Sequence, residues 1–83
     1  MAEKRVAKVT HYWPKVGVAA IKLYDTLKAG DTIHISGSTT DFEQTVDSME
    51  IEHEAVEMAK KGQEVGLKVN ERVRKGDRVY KVD

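Results

Sequence analysis

Eighty-three residues without a cysteine bound this chain to one domain, whose core gains nothing from disulfides or thiolate metal sites. Fourteen Lys/Arg balance fourteen Asp/Glu, a zero net charge that argues against strong non-specific attraction to a polyanion. No apolar run approaches the ~20 residues of a membrane helix, and the charged start Met1-Ala2-Glu3-Lys4-Arg5 does not read as a signal peptide. The expected setting is the cytoplasm, with no membrane partner.

The charges are sorted along the chain. Residues 1–28 carry six Lys/Arg and two acids, residues 29–57 carry eight acids and no Lys or Arg, and residues 58–83 carry eight Lys/Arg and four acids. Folding either mixes these blocks into an ordinary solvated surface or leaves a two-signed one with a basic face.

In chain order, Arg5–Tyr12 reads as a first strand, with Ala7, Val9 and His11 on one face and Val6, Lys8 and Thr10 on the other. Trp13-Pro14-Lys15 is a turn, because proline donates no hydrogen bond to a ladder. Val16–Leu23 is a second strand, whose Gly17, Ala19 and Ala20 admit close approach of another backbone. Residues 24–29 connect, with Leu27 plugging one end of the core. Thr32–Ser36 is a third strand, Ile33 and Ile35 inward and His34 outward, ending in the polar turn 37–41. Glu64–Val69 turns Val65, Leu67 and Val69 inward, and Arg78–Val82 is the last strand. Three strands are launched alike, from Ala29-Gly30-Asp31, Lys61-Gly62-Gln63 and Lys75-Gly76-Asp77. Such recurrent corners favour a barrel or sandwich.

The stretch Phe42–His53 fits two descriptions. Phe42 and Val46 share one parity, Met49 and Ile51 the other, so a strand here needs a bulge near Asp47-Ser48. Alternatively, Asp47 and Glu50 form a capping box for a helix over Glu50–Lys61, with Ile51, Ala55, Met58 and Ala59 at helical spacing and Gly62 as its cap.

Motifs for chemistry are sparse. His11, His34 and His53 are dispersed, and only carboxylates could complete a zinc site around them. No Gly-x-x-x-x-Gly-Lys-Ser/Thr run cradles phosphates and no Gly-x-Ser-x-Gly elbow activates a hydroxyl. The expectation is a non-enzyme with no metal, no cofactor and no GTP. Arg72, Arg74, Lys75 and Arg78 gather near the last corner, with Lys60 and Lys61 in a neighbouring loop, and Tyr12, Trp13 and Tyr80 are available to stack on bases. The competing description is a solvated basic loop and a tryptophan covering one end of the fold beside Pro14.

The ordered series Val16-Gly17-Val18-Ala19-Ala20-Ile21, Leu27-x-x-Gly30-Asp31-Thr32-Ile33-x-Ile35-x-Gly37, Phe42–Ile51, Ala59-x-x-Gly62-x-x-Val65-Gly66-Leu67 and Arg74-Lys75-Gly76-Asp77-Arg78-Val79 resembles domain 2 of translational GTPases of the elongation factor Tu type. It is also similar to the C-terminal barrel of collagenase-like peptidase family proteins, several of which are linked to RNA modification. The resemblance covers nearly the whole chain. It implies an all-β fold, a small closed six-stranded antiparallel barrel over residues 1–83. It further implies a long bulged strand over Phe42–His53 and at most one helical turn within 54–61, where Val56 and Ala59 would cover a barrel end. In elongation factor Tu this barrel helps hold the 3′ end of aminoacyl-tRNA, and aligning the Ala-x-x-Gly-x-x-Val-Gly turn places Glu50 at the glutamate near the terminal adenosine.

The resulting expectation is a non-catalytic module that binds RNA resembling a tRNA 3′ end, or a translation-related protein. Its candidate contacts are Trp13, Glu50, Arg72, Arg74, Lys75 and Arg78. The alternative is a protein–protein adaptor, or an accessory domain of a peptidase-like or RNA-modifying enzyme.

Overall fold

A computed structural model describes residues 3–82. Its regular elements are β1 (Glu3–Trp13), β2 (Val18–Leu23), β3 (Leu27–Lys28), β4 (Thr32–Ser36), β5 (Asp41–Thr45), β6 (Met49–Ile51), β7 (Glu54–Val56), β8 (Met58–Ala59), β9 (Glu64–Lys68) and β10 (Arg78–Val82). Eight of them form an antiparallel sheet in the order β5-β4-β10-β1-β2-β9-β6-β7, and β3 pairs with β8. The fold is all-β, with no helix among the described residues.

The three recurrent corners are one turn used three times. Lys28, Lys60 and Arg74 open it; Asp31, Gln63 and Asp77 close it. The closing N–H donates to the opening carbonyl at 3.1, 3.1 and 3.0 Å. The closing side chain in return accepts from the opening N–H at 2.9, 2.7 and 2.9 Å. Asp and Gln are interchangeable here because each reaches back with an oxygen. The glycine between them takes φ of 96°, 89° or 95°, the third position of a type II turn, where an L side chain is strained. A Cβ at these glycines would meet nothing within 4 Å, so the demand comes from the backbone and not from crowding.

β1 reaches across the sheet by bending twice. Its register shifts between Arg5 and Ala7 against β10, and between Val9 and His11 against β2. Each bulge resets the alternation, so Val6, Ala7 and Val9 are all buried. Val6, read as lying on the face opposite Ala7 and Val9, is thus buried together with them. The second strand begins at Val18 rather than Val16: Trp13–Gly17 is a turn in which Val16 and Gly17 donate to the Trp13 carbonyl, leaving Val16 exposed. Ile33, Ile35, Val65, Leu67 and Val69 face the core as their alternation predicts, and Leu27, paired with Ala59 in the small sheet, is fully buried.

The ambiguous middle is neither a helix nor one bulged strand. β5 stands at one end of the sheet order and the β6–β7 hairpin at the other, although only Val46–Ser48 separates them in the chain. Val46 is pinned by two backbone bonds, donating to Asp31 and accepting from Gly30, both at 2.8 Å. The parity change between Val46 and Met49, both buried, marks this crossing. Residues 54–61 hold β7 and β8 in place of a helical turn. Ala59 is buried and Val56 packs against the core, as expected of residues covering it.

No ladder among the described residues closes the sheet into the expected six-stranded barrel. What ties β5 to the C-terminal end of β9 is a side chain. Gln44 of β5 is buried; its Nε2 donates to the Lys68 carbonyl at 2.9 Å and its Oε1 accepts from the Asn70 N–H at 2.7 Å. Truncation would strand two backbone groups at once. Gln44→Ala is expected to cost roughly 1–3 kcal/mol in urea unfolding, and a loss below about 0.5 kcal/mol, the scale of an ordinary surface substitution, would show that water replaces the amide there.

Candidate functional site

The outer face of the sheet can be assembled row by row from the strand register. One row runs His11 (β1), Ala20 (β2), Gly66 (β9), Glu50 (β6), each directly opposite the next. Opposed residues of an antiparallel pair point the same way, so two tall side chains flank two small ones. The adjacent row pairs Trp13 with Val18. The outcome is an open trough of about 770 Å³, floored by Val18, Ala20 and Gly66. Trp13 and Val16 wall one side, the β6–β7 hairpin the other, and Gln63 and Glu64 close an end. The small residues of β2 thus serve both faces: Ala19 packs inward, while Ala20 keeps the trough floor low.

Trp13 is 45% exposed and leans on the His11 ring, with centroids 4.3 Å apart. Glu50, Glu52 and Glu64 line the trough with His53, and no Lys or Arg lines it. Glu64 is held by the bulge residue Thr10, whose hydroxyl lies 2.7 Å from its Oε2 and 3.1 Å from the Ala20 carbonyl. The hairpin tip, Glu52-His53, has positive φ at both residues (51° and 68°).

The candidate residues separate into three places. Trp13 and Glu50 face each other across the trough. Arg72, Arg74 and Lys75 border a second depression of about 490 Å³ with His11, Tyr12, Pro14 and Val73. Arg78 belongs to neither. It stands in a row directly opposite Lys8, which is directly opposite Lys22, all three exposed. Lys60 and Lys61 border neither depression. Lys8 and Lys22 escape sequence reasoning because their neighbourhood with Arg78 depends on strand pairing between distant segments. Glu52 and His53 escape it because the hairpin itself is not foreseen.

Protein-family models give no match to this chain. The chain is 53% identical over 76 residues to an uncharacterized protease of Methanocaldococcus jannaschii, an alignment covering 90% of the chain and 19% of that protein. It is 38% identical over 80 residues to a collagenase of Porphyromonas gingivalis, covering 94% of the chain and 22% of the collagenase. It spans about a fifth of the length of these relatives. Its fold matches the C-terminal domain of a Geobacillus thermoleovorans protein assigned as a U32 peptidase, with a TM-score of 0.90, 20% identity, and coverage of 96% of this chain and 93% of that one. One of these relatives is named a protease and the other a collagenase. The elongation-factor side of the resemblance receives no support from them.

A few titratable groups act as clamps between strands and turns. No three His, Cys, Asp or Glu side chains among the described residues converge as metal ligands. His34, on β4, has Nδ1 3.0 Å from the Glu3 carboxylate and Nε2 against Asp41, so it ties β1 and β5 together. Hydrogen bonds to Asp41 first and Glu3 second raise its pKa above 6.5, outweighing partial burial. Asp25 is held below the ordinary aspartate value by its bond to Lys4 and by the Thr26 N–H.

A doubly paired imidazole must be charged to donate from both nitrogens. Because the folded pKa is raised, the clamp contributes fully below pH 6.5 and its contribution fades as pH rises through the folded pKa. In a pH series, the stability gap between the parent and His34→Phe is expected to shrink towards alkaline pH. A gap that is flat from pH 5 to pH 9 would mean that the imidazolium does not carry the clamp.

Proposed function

We propose that this chain is a non-catalytic accessory domain of the collagenase-like, U32-peptidase kind, supplying a recognition surface to a separate catalytic region. The observation that carries this is the shape of the sequence match: 53% identity over 90% of the chain, confined to 19% of a protease. The fold likeness to a C-terminal domain points the same way. Within this reading the sheet wraps as a barrel of the domain 2 type, with β5 meeting the end of β9 across Gln44, the Lys68 carbonyl and the Asn70 N–H.

The Methanocaldococcus jannaschii relative offers a direct test. Removing its matching segment should lower substrate binding, and fusing this chain in its place should restore it. The chain alone should leave gelatin intact. Gelatin cleavage by the chain alone, or a chimera no better than the truncated protein, would overturn the accessory role.

A second reading, contact with RNA, is favoured by the Arg78–Lys8–Lys22 row. Beside it Arg5 lies over the Tyr24 ring at 5.3 Å and stands opposite Tyr80, a cationic and aromatic surface of the sort single strands use. Lys8→Ala should reduce the slope of log K against log salt for a single-stranded RNA by about 0.7. An unchanged slope would remove the row from any RNA contact.

A further inference from the structure

We propose that the trough between Trp13 and the β6–β7 hairpin is a binding site for an extended basic peptide. The proposal is independent of the accessory-domain reading, since it concerns what the chain itself binds.

Three features converge on this occupant. The first is an unused ladder edge. β9 pairs along its whole length with β2, from Val18–Lys68 to Lys22–Glu64. On its other side β6 pairs only with Leu67 and Gly66, and the hairpin then turns away. The odd-numbered residues of β9 bond towards β2, so Glu64 is left without a strand partner on the other side among the described residues, and it lines the trough with Val65. A free edge of this kind accepts a short strand from another chain.

The second feature is the floor. A strand laid beside β9 needs room for its backbone and for the side chains pointing down. Ala20 and Gly66 provide it, with Val18 as an apolar base. A Cβ on Gly66 would lie 3.6 Å from Val18 Cγ1 and 3.8 Å from the Glu50 carbonyl, ordinary contact distances. Gly66 has no positive φ. Neither close packing nor backbone conformation demands glycine here, and its absent side chain widens the trough.

The third feature is charge. Glu50 and Glu52 stand along the trough with no Lys or Arg in its lining, while Glu64, at its end, stands directly opposite Lys22; across from them is an indole that is nearly half exposed. Carboxylates facing an aromatic ring favour a guanidinium or ammonium on a flexible apolar stem. An anionic peptide or an RNA phosphate would meet three like charges. The Arg78–Lys8–Lys22 row, where such anions are favoured, reaches the trough only through Glu64, opposite Lys22.

Trp13 is the only tryptophan in the chain, so its fluorescence reports on the trough directly. The intact chain is titrated at low salt with a capped pentapeptide alternating valine and arginine, and with its valine–glutamate counterpart. Saturable change in Trp13 emission with the arginine peptide alone is expected. Amide shifts should centre on Glu50–His53 and Glu64–Gly66. Glu50→Gln and Glu52→Gln, both at exposed positions, should each weaken binding roughly 2- to 5-fold with unchanged circular dichroism. Glu71→Gln, outside the trough, should not. Equal binding of both peptides, no saturable change, shifts confined to the Lys8–Lys22–Arg78 row, or full affinity in both glutamine variants would each overturn the proposal. So would a single-stranded RNA that perturbs these amides where the arginine peptide does not.

Discussion

The crossing at Val46–Ser48 is the constraint from which the rest of the architecture follows. Two strands adjacent in the chain are sent to opposite ends of one sheet. The sheet must therefore curl far enough for three residues to bridge it. The bulges of β1 and the buried Gln44 amide make the same statement from elsewhere: β1 bends twice, and the end of β5 lies within hydrogen-bond reach of Lys68 and Asn70. Val46 is fixed to the Gly30–Asp31 corner by two backbone bonds, so the crossing is tied to one of the three repeated turns. Asp77 joins a second corner to the turn after β4. Its carboxylate lies where a Cβ on Gly37 would fall, so any larger residue there requires the Asp77 side chain to move.

Sequence patterns were legible wherever the cause of structure is local. The corners built on Gly30, Gly62 and Gly76 need a glycine and a side-chain oxygen one residue later, and both can be read directly. The Ile33/Ile35 and Val65/Leu67 alternations are equally local. Residues 50–61 misled for a definite reason. Ile51, Ala55, Met58 and Ala59 fall at helical spacing, yet only Ala59 is buried, while Ala55 and Met58 are exposed. The period was coincidental and did not mark a buried face. That Val6 is buried together with Ala7 was not legible, because a bulge is a property of two strands, and its partner, β10, lies at the other end of the chain.

Among the candidate contacts, Trp13 stood out as a residue type and Glu50 only through the elongation factor Tu alignment; the fold puts both in the lining of one trough. The basic residues near the last corner did not stay together. The Gly76–Asp77 turn separates Arg78 from Arg72, Arg74 and Lys75, and strand pairing gives it Lys8 as a neighbour instead. The charge blocks of the sequence survive folding. The exposed cations Arg78, Lys8 and Lys22 lie at the sheet centre on β10, β1 and β2, while Asp41, Glu43, Glu50, Glu52 and Glu54 belong to the ends, from β5 to the β6–β7 hairpin. Zero net charge thus conceals a sorting of charge across one sheet, with the row Arg78–Lys8–Lys22 flanked by Asp41 at one end and Glu64 at the other.

The β6–β7 hairpin shows which surface the sequence invests in. A two-residue hairpin loop with positive φ at both positions is most easily made from Asn-Gly or a similar pair. This chain uses Glu52-His53 at φ 51° and 68°. Glycine would relieve strain of roughly 1–2 kcal/mol per residue in that conformation, and this chain has glycine at every corner of the repeated turn. Retaining two functional side chains at the tip is costly to the hairpin and useless to the core, which neither residue enters. Both side chains instead line the trough. Strain held at a solvent-facing tip, beside an exposed tryptophan and the unpaired Glu64 of β9, is what the proposed peptide site requires.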